Sequence, residues 1–154
     1  MNIIYSDIIP APDMERELGA KRAEFNELLA AADVITLHVP LTDDTKTMIG
    51  QAELAQMKPG AYLINTSRGG VIDYAALTKA VREKGIRVAL DVYGNEPIAT
   101  AEIFEDPVVK AEGVVYGTHH IGASTEQAQL AVAEEAVRVI TEFKNTGKVL
   151  NRVN

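Results

Sequence analysis

Short apolar runs recur along the chain, and each has the length of a buried β-strand. The clearest run covers 61–64, where Lys58-Pro59-Gly60 precedes it and Arg68-Gly69-Gly70 follows it. Glycine, proline and charged residues at both ends of a short apolar run are typical of a strand within a sheet. We therefore predict a strand at 61–64, and similar runs predict strands at 2–6, 34–39, 87–92 and 114–116.

Helical periodicity separates most of these strands. Asp73 has the chemistry of a helix N-cap, and Gly85 is placed to end the same helix. Shorter helices are predicted at 24–32 and 51–57 from their apolar spacing. The residues predicted to form the apolar face of the helix after Asp73 are Leu77, Ala80 and Val81.

The C-terminal part of the chain has the pattern of one long helix. Ser124 and Gln127 form a capping-box signature at its start, and Gly147 is placed to end it. Its apolar residues recur at a spacing of three and four, and the simplest interpretation of that stripe is core packing. The stripe consists of Ala128, Val132, Ala136, Val139, Ile140 and Phe143.

Strands that alternate with helices predict a parallel sheet, because parallel neighbours need crossover connections. We therefore predict an α/β fold of the doubly wound, Rossmann type. The chain has 154 residues, which as a prior is one domain, and it contains no repeat or linker. A single domain covering 1–154 is expected.

Composition excludes several classes of function. The net charge is −7 and no basic run occurs, which argues against a nucleic acid or an anionic membrane as partner. The absence of cysteine excludes disulfides and thiolate metal sites, and we predict no metal. No apolar run approaches the roughly 20 residues that span a bilayer, and the N-terminus lacks a signal-peptide pattern. A cytoplasmic protein is expected.

Polar residues follow the predicted strands at the positions where ligands bind in such folds. The carboxyl ends of parallel strands meet at one edge of the sheet, and ligands of open α/β sheets lie there. Residues from distant parts of the chain should therefore come together at that edge. They are Asp7, His38-Val39-Pro40, Thr66-Ser67-Arg68, Asp91, Glu96, His119 and His120.

Arginine, histidine and glutamate at one edge make a coherent chemical set. An arginine binds a carboxylate with two parallel hydrogen bonds, and a histidine donates or accepts a proton near neutral pH. A glutamate beside the imidazole fixes its orientation. Reduction of a 2-oxo acid needs this set together with a nicotinamide that supplies hydride. Purely structural interpretations remain open. Arg68, Asp91 and Glu96 could be ordinary turn residues. His120 could be a hydrogen-bonded loop residue, and Asp7 could simply begin a loop.

Ordered motifs along nearly the whole chain resemble the D-isomer-specific 2-hydroxyacid dehydrogenases, the family of D-3-phosphoglycerate dehydrogenase and glyoxylate/hydroxypyruvate reductase. The central motif runs from Ile64 through Asn65-Thr66-Ser67-Arg68-Gly69-Gly70 to Asp73. Several ordered motifs are far more specific than any one of them. The others are Leu37-His38-Val39-Pro40-Leu41-Thr42, Met57-Lys58-Pro59-Gly60, Ala89-Leu90-Asp91-Val92-Tyr93, Glu96-Pro97, His120-Ile121-Gly122-Ala123-Ser124-Thr125 and Val149-Leu150-Asn151-Arg152-Val153-Asn154.

The resemblance implies catalytic roles for three residues. Arg68 would bind the substrate carboxylate and carbonyl, His120 would be the general acid/base, and Glu96 would pair with that histidine. The family has a proline where this chain has His119, which is a local departure. The resemblance thus implies an NAD-dependent oxidoreductase that interconverts a D-2-hydroxy acid and its 2-oxo acid. The expected assembly is a homo-oligomer, namely a dimer.

The resemblance also implies an NAD site. Asp91 would hold the nicotinamide carboxamide, and Asp7 would bind the adenosine ribose hydroxyls, which favours NAD over NADP because a 2′-phosphate would meet a carboxylate. The remaining residues implied in the cofactor cleft are Val39, Pro40, Thr45, Thr66, Ser67, Gly122 and Ala123.

One expected motif is missing. The family's G-x-G-x-x-G fingerprint precedes the acidic residue by roughly 20 positions, yet no G-x-G occurs here and only six residues precede Asp7. We therefore expect a truncated Rossmann domain that lacks the first strand, its glycine loop, its helix and the substrate domain. The missing strand is expected between the strand ending at Asp7 and the strand ending at Thr66, leaving edges that another copy could fill.

A second function remains open at this point. The chain could be a catalytically inactive Rossmann fragment that serves as a binding or oligomerisation module. The missing glycine loop favours that alternative, whereas Arg68, Glu96 and His120 favour the enzyme. A different Rossmann-type domain, such as a methyltransferase, would not explain those three residues together.

Overall fold

The computed structural model of the chain describes residues 1–96, 108 and 115–152. Parts of three predicted motifs lie outside the described residues, namely Pro97, Val114 and the final Val153-Asn154. The chain divides into two compact units, Met1–His119 and His120–Asn154, and each is described by itself.

The first unit begins with a small parallel pair of strands. Strand β1 (Ile4–Tyr5) and strand β2 (Lys21–Arg22) are joined by helix α1 (Pro12–Leu18). The Tyr5 hydroxyl accepts a hydrogen bond from the Ala11 amide at 2.9 Å, which ties β1 to the start of α1. The predicted strand at 2–6 is thus confirmed, whereas the sequence analysis predicted neither α1 nor β2.

A four-stranded parallel sheet follows, in the order β3-β4-β5-β6. In sequence, α3 lies between β3 and β4, and α4 lies between β4 and β5; α2 contacts α3 while α3 contacts α4. The predicted α/β fold is confirmed. The elements are α2 (Phe25–Ala31), β3 (Val34–Leu37), α3 (Gln51–Gln56), β4 (Tyr62–Asn65), a 3-10 helix (Gly69–Val71), α4 (Tyr74–Lys84), β5 (Arg87–Leu90) and β6 (Val115–Gly117).

Alternation along the strands places their apolar side chains in the core. In β3, Ile35 and Leu37 are buried while Val34 and Thr36 are exposed, because successive side chains point to opposite faces. Leu29 of α2 and Leu77 of α4 are fully buried in the same core. Burial of each such side chain contributes roughly 1.5–3 kcal/mol.

Helix α4 begins and ends where the sequence predicts. The Asp73 carboxylate accepts hydrogen bonds from the Ala75 and Ala76 amides, each at 3.0 Å, and so caps the helix N-terminus. At the other end Gly85 has a φ of 65°, the left-handed conformation that glycine adopts without steric cost. These two residues fix the length of the helix that follows the central strand.

The position of the sheet edge corrects one expectation. We expected the gap for a further strand between the strand that ends at Asp7 and the strand that ends at Thr66. Instead β4 pairs on one side with β3 and on the other with β5, so β4 is interior. Strand β3 is the edge, and within the part of the chain that the structure describes its second side pairs with no strand. The error arose because β2, only two residues long, is too short to give a periodic signal.

The second unit consists mainly of helix α5 (Glu126–Thr146). Its N-cap is Thr125, whose hydroxyl accepts from the Ala128 amide at 3.2 Å, so the predicted cap at Ser124 is wrong by one residue. Gly147 ends the helix with a φ of 72°, as predicted. No residue of α5 is buried, which contradicts the predicted core stripe, because one helix with short flanks cannot cover its own apolar face. Among the described residues, no helix is long and apolar enough to cross a membrane.

Candidate active site

The register of the four-stranded sheet aligns the ends of its strands. Leu37 pairs with Asn65, Asn65 with Leu90, and Leu90 with Gly117, so all four strands end at the same level. The loops after them therefore lie at one edge, which is where the sequence analysis placed the candidate ligand site.

The loop after β4 is held by the side chain of Asn65, the last residue of that strand. Its Oδ1 accepts hydrogen bonds from the Ser67 amide at 3.0 Å and the Ser67 hydroxyl at 2.8 Å. Its Nδ2 donates to the Arg68 carbonyl at 2.9 Å. Thr66 is exposed and Ser67 is half-buried in this loop. The side chain of Asn65 thus supplies hydrogen-bond partners to the Ser67 amide and the Arg68 carbonyl of the turn.

Arg68 presents its guanidinium at the surface of this edge. The side chain is exposed, and Nη1 donates to the Ser67 carbonyl at 2.7 Å. Across the described ranges no carboxylate forms an ion pair with it. A guanidinium without an internal acidic partner is available for a carboxylate from outside the chain.

The loop after β5 begins with Asp91, a predicted acidic site residue. Asp91 is 6% exposed, and its Oδ1 accepts a hydrogen bond from the Thr118 hydroxyl at 2.5 Å. Its amide donates to the Asn65 carbonyl at 3.0 Å, which continues the sheet by one residue. Asp91 is therefore fixed between the ends of β4 and β6 and has a buried, polar setting.

Glu96 lies further along the same loop and folds back on it. The half-buried Glu96 carboxylate accepts a hydrogen bond from the Tyr93 amide at 2.6 Å. The Tyr74 hydroxyl donates to the Val92 carbonyl at 2.9 Å and anchors the loop to α4. A Cβ at position 69 would overlap the Tyr93 carbonyl, so the Gly69 backbone lies directly against this loop. The structure thus brings the Arg68 and Glu96 loops together.

The loop after β3 joins the same edge. Val39 packs against the core, and the Pro40 carbonyl accepts a hydrogen bond from the Thr45 hydroxyl at 2.5 Å. The Thr47 amide donates to the Gly70 carbonyl at 2.9 Å, next to the Arg68 turn. Val39, Pro40 and Thr45 are therefore brought to the edge that carries Arg68.

Asp7 follows a strand of a different sheet from the one that carries these residues. It follows β1, in the small parallel pair, and its Oδ1 accepts from the Ile9 amide at 2.9 Å. Its carbonyl accepts from the Arg22 side chain at 2.8 Å. The carboxylate is exposed at the carboxyl end of its strand, as a ribose-binding residue of this fold type would be.

Three further predicted residues, His120, Gly122 and Ala123, belong to the second unit. His120 is exposed and has a φ of 56°, an uncommon conformation for a residue with a side chain. Gly122 and Ala123 follow it, and the Ser124 amide donates to the Ile121 carbonyl at 2.9 Å to close a turn. His119 is exposed at the end of the first unit. The roles of His120, Gly122 and Ala123 stay predictions.

The sequence analysis missed residues that build the edge through hydrogen bonds and packing. Asn65 was read only as part of a motif, and Thr118 and Tyr93 were given no role. The signal for Asn65 was a polar amide at the end of an apolar strand, where a buried polar group needs partners. A Cβ at Gly117 would overlap the Tyr93 hydroxyl, a packing relation that only the folded sheet reveals.

Comparison with known proteins assigns the chain to a family. Residues 1–122 match the NAD binding domain of the D-isomer specific 2-hydroxyacid dehydrogenases. A glyoxylate reductase from Thermococcus litoralis is 43% identical over 155 aligned positions, which cover 100% of this chain and 45% of that protein. A D-3-phosphoglycerate dehydrogenase from Archaeoglobus fulgidus is 38% identical and is covered over 28% of its length.

Solved structures give the same assignment. The D-lactate dehydrogenase of Lactobacillus jensenii, determined with NAD+, superposes with a TM-score of 0.86 at 28% identity, covering 99% of this chain and 48% of that one. The chain thus spans less than half the length of these relatives. It belongs to the D-isomer specific 2-hydroxyacid dehydrogenase family, whose NAD-binding domain it matches.

Proposed function

We propose that this chain functions in an NAD-dependent oxidoreductase, which interconverts a D-2-hydroxy acid and its 2-oxo acid. The observation that carries the proposal is the exposed guanidinium of Arg68. It lies at the carboxyl edge of the parallel sheet, on a loop held by a buried amide and pressed against the Glu96 loop. Membership of the family supports the same reaction.

In the proposed mechanism, Arg68 binds the substrate carboxylate through two parallel hydrogen bonds. The same planar group polarises the adjacent carbonyl and thereby orients the carbon that is reduced. His120 donates a proton to the carbonyl oxygen during reduction and accepts it during oxidation. Glu96 is the residue that, by the family resemblance, would pair with the imidazole of His120 and orient it. NAD(H), when bound, supplies or accepts the hydride.

The residues at this edge partly fit that cofactor. The buried Asp91 carboxylate, held by Thr118, suits a nicotinamide carboxamide, since an amide N–H₂ donates to a carboxylate oxygen. The exposed Asp7 carboxylate suits ribose hydroxyls. We propose that the smaller residues lining the cleft are Val39, Pro40, Thr45, Thr66, Ser67, Gly122 and Ala123.

One observation favours a second candidate function. The 154 residues contain no G-x-G, so the chain has no glycine loop of the type that cradles a pyrophosphate. A non-catalytic Rossmann module that binds another chain is the alternative.

We further propose that two copies associate, since β3 leaves one edge open within the described residues.

Calorimetric titration of NADH into the 154-residue chain tests the cofactor part of the proposal. We expect micromolar binding that Asp7→Ala weakens about tenfold, because loss of charged hydrogen bonds costs roughly 1.5–3 kcal/mol. Asp33→Ala is the matched control, since Asp33 is an exposed carboxylate at the opposite end of β3. Absence of heat above dilution would leave the non-catalytic module as the function of this chain.

Turnover of a 2-oxo acid with NADH tests the catalytic part. Arg68→Gln should lower kcat/KM by roughly 100-fold or more, since it removes a charged group that positions the substrate. Arg82→Gln, at an exposed position on α4, should leave kcat/KM unchanged. Equal activity of the two variants would contradict the assignment of Arg68.

A further inference from the structure

Asn65 is a fully buried polar residue in a strand that is otherwise built for the core. Its relative exposure is 0%, and Asp91 is the other buried polar or charged residue in the described ranges. Burial of an amide costs free energy unless its donors and acceptors find partners. An apolar residue at this position would avoid that cost, so the amide calls for a specific explanation.

The side-chain hydrogen bonds of Asn65 go to two residues of the same loop. The Oδ1 atom holds the amide and hydroxyl of Ser67, and the Nδ2 atom holds the carbonyl of Arg68. The Ser67 N–H belongs to the peptide before the Ser67–Arg68 peptide, and the Arg68 carbonyl belongs to the peptide after it. Asn65 therefore holds the two flanking peptides, and movement of either one would break a part-buried hydrogen bond.

The guanidinium of Arg68 is anchored to the peptide between those two. Its Nη1 donates to the Ser67 carbonyl, which belongs to the Ser67–Arg68 peptide. The Arg68 backbone is extended, with φ −142° and ψ 136°, and the 3-10 helix begins at Gly69. Displacement of the flanking peptides would therefore shift the Ser67 carbonyl and redirect the guanidinium that it anchors.

We propose that Asn65 is a positioning residue that aims Arg68 at the carboxylate of a 2-oxo acid. The inference rests on the proposed function, because it takes Arg68 as the group that binds the substrate. Asn65 acts through Arg68 and touches neither substrate nor cofactor. It converts an exposed, flexible side chain into a preorganised carboxylate receptor.

Nuclear magnetic resonance of the Arg68 Nε–H group during titration with oxamate, a non-reducible mimic of a 2-oxo acid, tests the proposal in the presence of NADH. In the wild-type chain we expect the signal to shift and to give a dissociation constant. Asn65→Ala should weaken oxamate binding about 10- to 100-fold, since small displacements of a binding group have effects of this size. Leu29→Ala, a buried residue of α2, controls for general loss of stability and should change the constant less than about twofold.

Asn65→Asp gives a readout that a merely structural role would not produce. A protonated aspartic acid carries one donor and one acceptor, like the amide, whereas the ionised form offers only acceptors and would face the Arg68 carbonyl. Oxamate affinity of Asn65→Asp should therefore rise towards the wild-type value as the pH is lowered. Asn65→Ala should show no comparable recovery over the same pH range.

The outcomes separate this inference from the proposed function. No shift of the Arg68 signal in the wild-type chain would overturn both. A wild-type shift with equal oxamate affinity in Asn65→Ala would overturn the role of Asn65 alone. If Asn65→Ala does not fold, Ser67→Ala removes one of the three bonds and should weaken binding severalfold, while unchanged affinity in that variant and no pH recovery in Asn65→Asp would refute the inference.

Discussion

At the scale of single residues, the absence of a side chain decides how closely two loops of the site approach. A Cβ at Gly69 would overlap backbone atoms of Tyr93, which cannot move without shifting the loop that contains Glu96. A Cβ at the neighbouring Gly70 would meet only the end of the Leu41 side chain, at 3.0 Å. The two adjacent glycines therefore differ in what a methyl group would displace.

Gly69→Ala is expected to destabilise the chain, and Gly70→Ala is the matched control. Insertion of a methyl group against backbone costs roughly 1–3 kcal/mol, because the backbone of a packed loop cannot rotate away. Gly70→Ala should lower the free energy of unfolding by less than about 1 kcal/mol, since the Leu41 side chain can change rotamer. Urea unfolding measures both values, and equal losses would contradict the close approach at Gly69.

At the scale of elements, the short helix α3 is completed by a side chain from α4. The Lys84 ammonium donates to the carbonyls of Leu54 at 3.0 Å and Ala55 at 2.8 Å, and also to that of Met57. These carbonyls lie at the C-terminal end of α3, where carbonyls lack partners within the helix and a positive charge is favourable. One lysine therefore stabilises the end of α3 and joins it to α4.

Replacement of this lysine should separate the two helices. Lys84→Met keeps most of the aliphatic stem but leaves partly buried carbonyls without a donor, so we expect a loss of roughly 1–3 kcal/mol. Lys79→Met, on an exposed face of the same helix, should change stability by less than about 0.5 kcal/mol. Differential scanning calorimetry compares the two variants, and an equal melting temperature would show that the Lys84 contacts contribute nothing.

Helix α5 carries an ion pair that also holds the chain that follows it. Arg138 donates from Nε and Nη2 to the two oxygens of Glu135, each at 2.6 Å, and Asn151 donates to Oε1 at 2.7 Å. These bonds, first those from Arg138 and then that from Asn151, lower the pKa of Glu135 from 4.5 to about 2. The charged form of Glu135 is thus the form that the helix and the C-terminal segment bind.

The pH dependence of this contact follows from the direction of the shift. Because the pKa is lower in the folded chain, the contact stabilises fully above the ordinary value of 4.5 and is lost as the pH falls from there through about 2. Carboxyl carbon resonances should show Glu135 titrating near 2. Arg138→Gln should raise its midpoint, while Lys144→Gln, a charge change elsewhere on α5, should leave it in place.

The elements that could be predicted are those whose ends are marked by capping residues in the sequence. Asp73, Gly85 and Gly147 mark helix ends by chemistry that acts within a few residues, so the sequence alone located them. Strand β2 is too short to give a periodic signal. Helix α1 has Pro12 in its first turn and Gly19 at its end, marks that the sequence analysis did not use. The exposure of Val132 and Phe143 depends on what surrounds α5. The role of Asn65 depends on hydrogen bonds that form only when the loop closes, and no periodic pattern contains that information.

At the scale of the whole molecule, self-association is expected at the side of β3 that pairs with no strand among the described residues. The Tyr62 amide donates to the Asp33 carbonyl at 2.9 Å, so alternate backbone groups of β3 point away from β4. Val34, at 55% exposure, lies along this edge. Exposed edges pair with other strands unless charges or prolines prevent it.

Sedimentation velocity over a range of protein concentrations measures this association. We expect a dimer at micromolar concentrations that Val34→Lys converts towards monomer, because a charge on an edge strand opposes pairing. Val137→Lys places the same charge on an exposed position of α5 and should leave the dimer intact. A wild-type monomer at all concentrations would refute self-association, and loss of the dimer only in Val137→Lys would place the interface on α5.

The parallel pairing of the sheet also has a consequence for how the chain folds. Val34 pairs with Tyr62, Tyr62 with Arg87 and Val88 with Val115. Each pairing must therefore close a long segment of chain, and the conformational entropy of that segment is lost before the strand contacts form. Such topologies fold slowly compared with helical bundles. The loops that carry Arg68, Asp91 and Glu96 acquire their neighbours only in that late step, and their amides should gain protection from solvent exchange together during refolding.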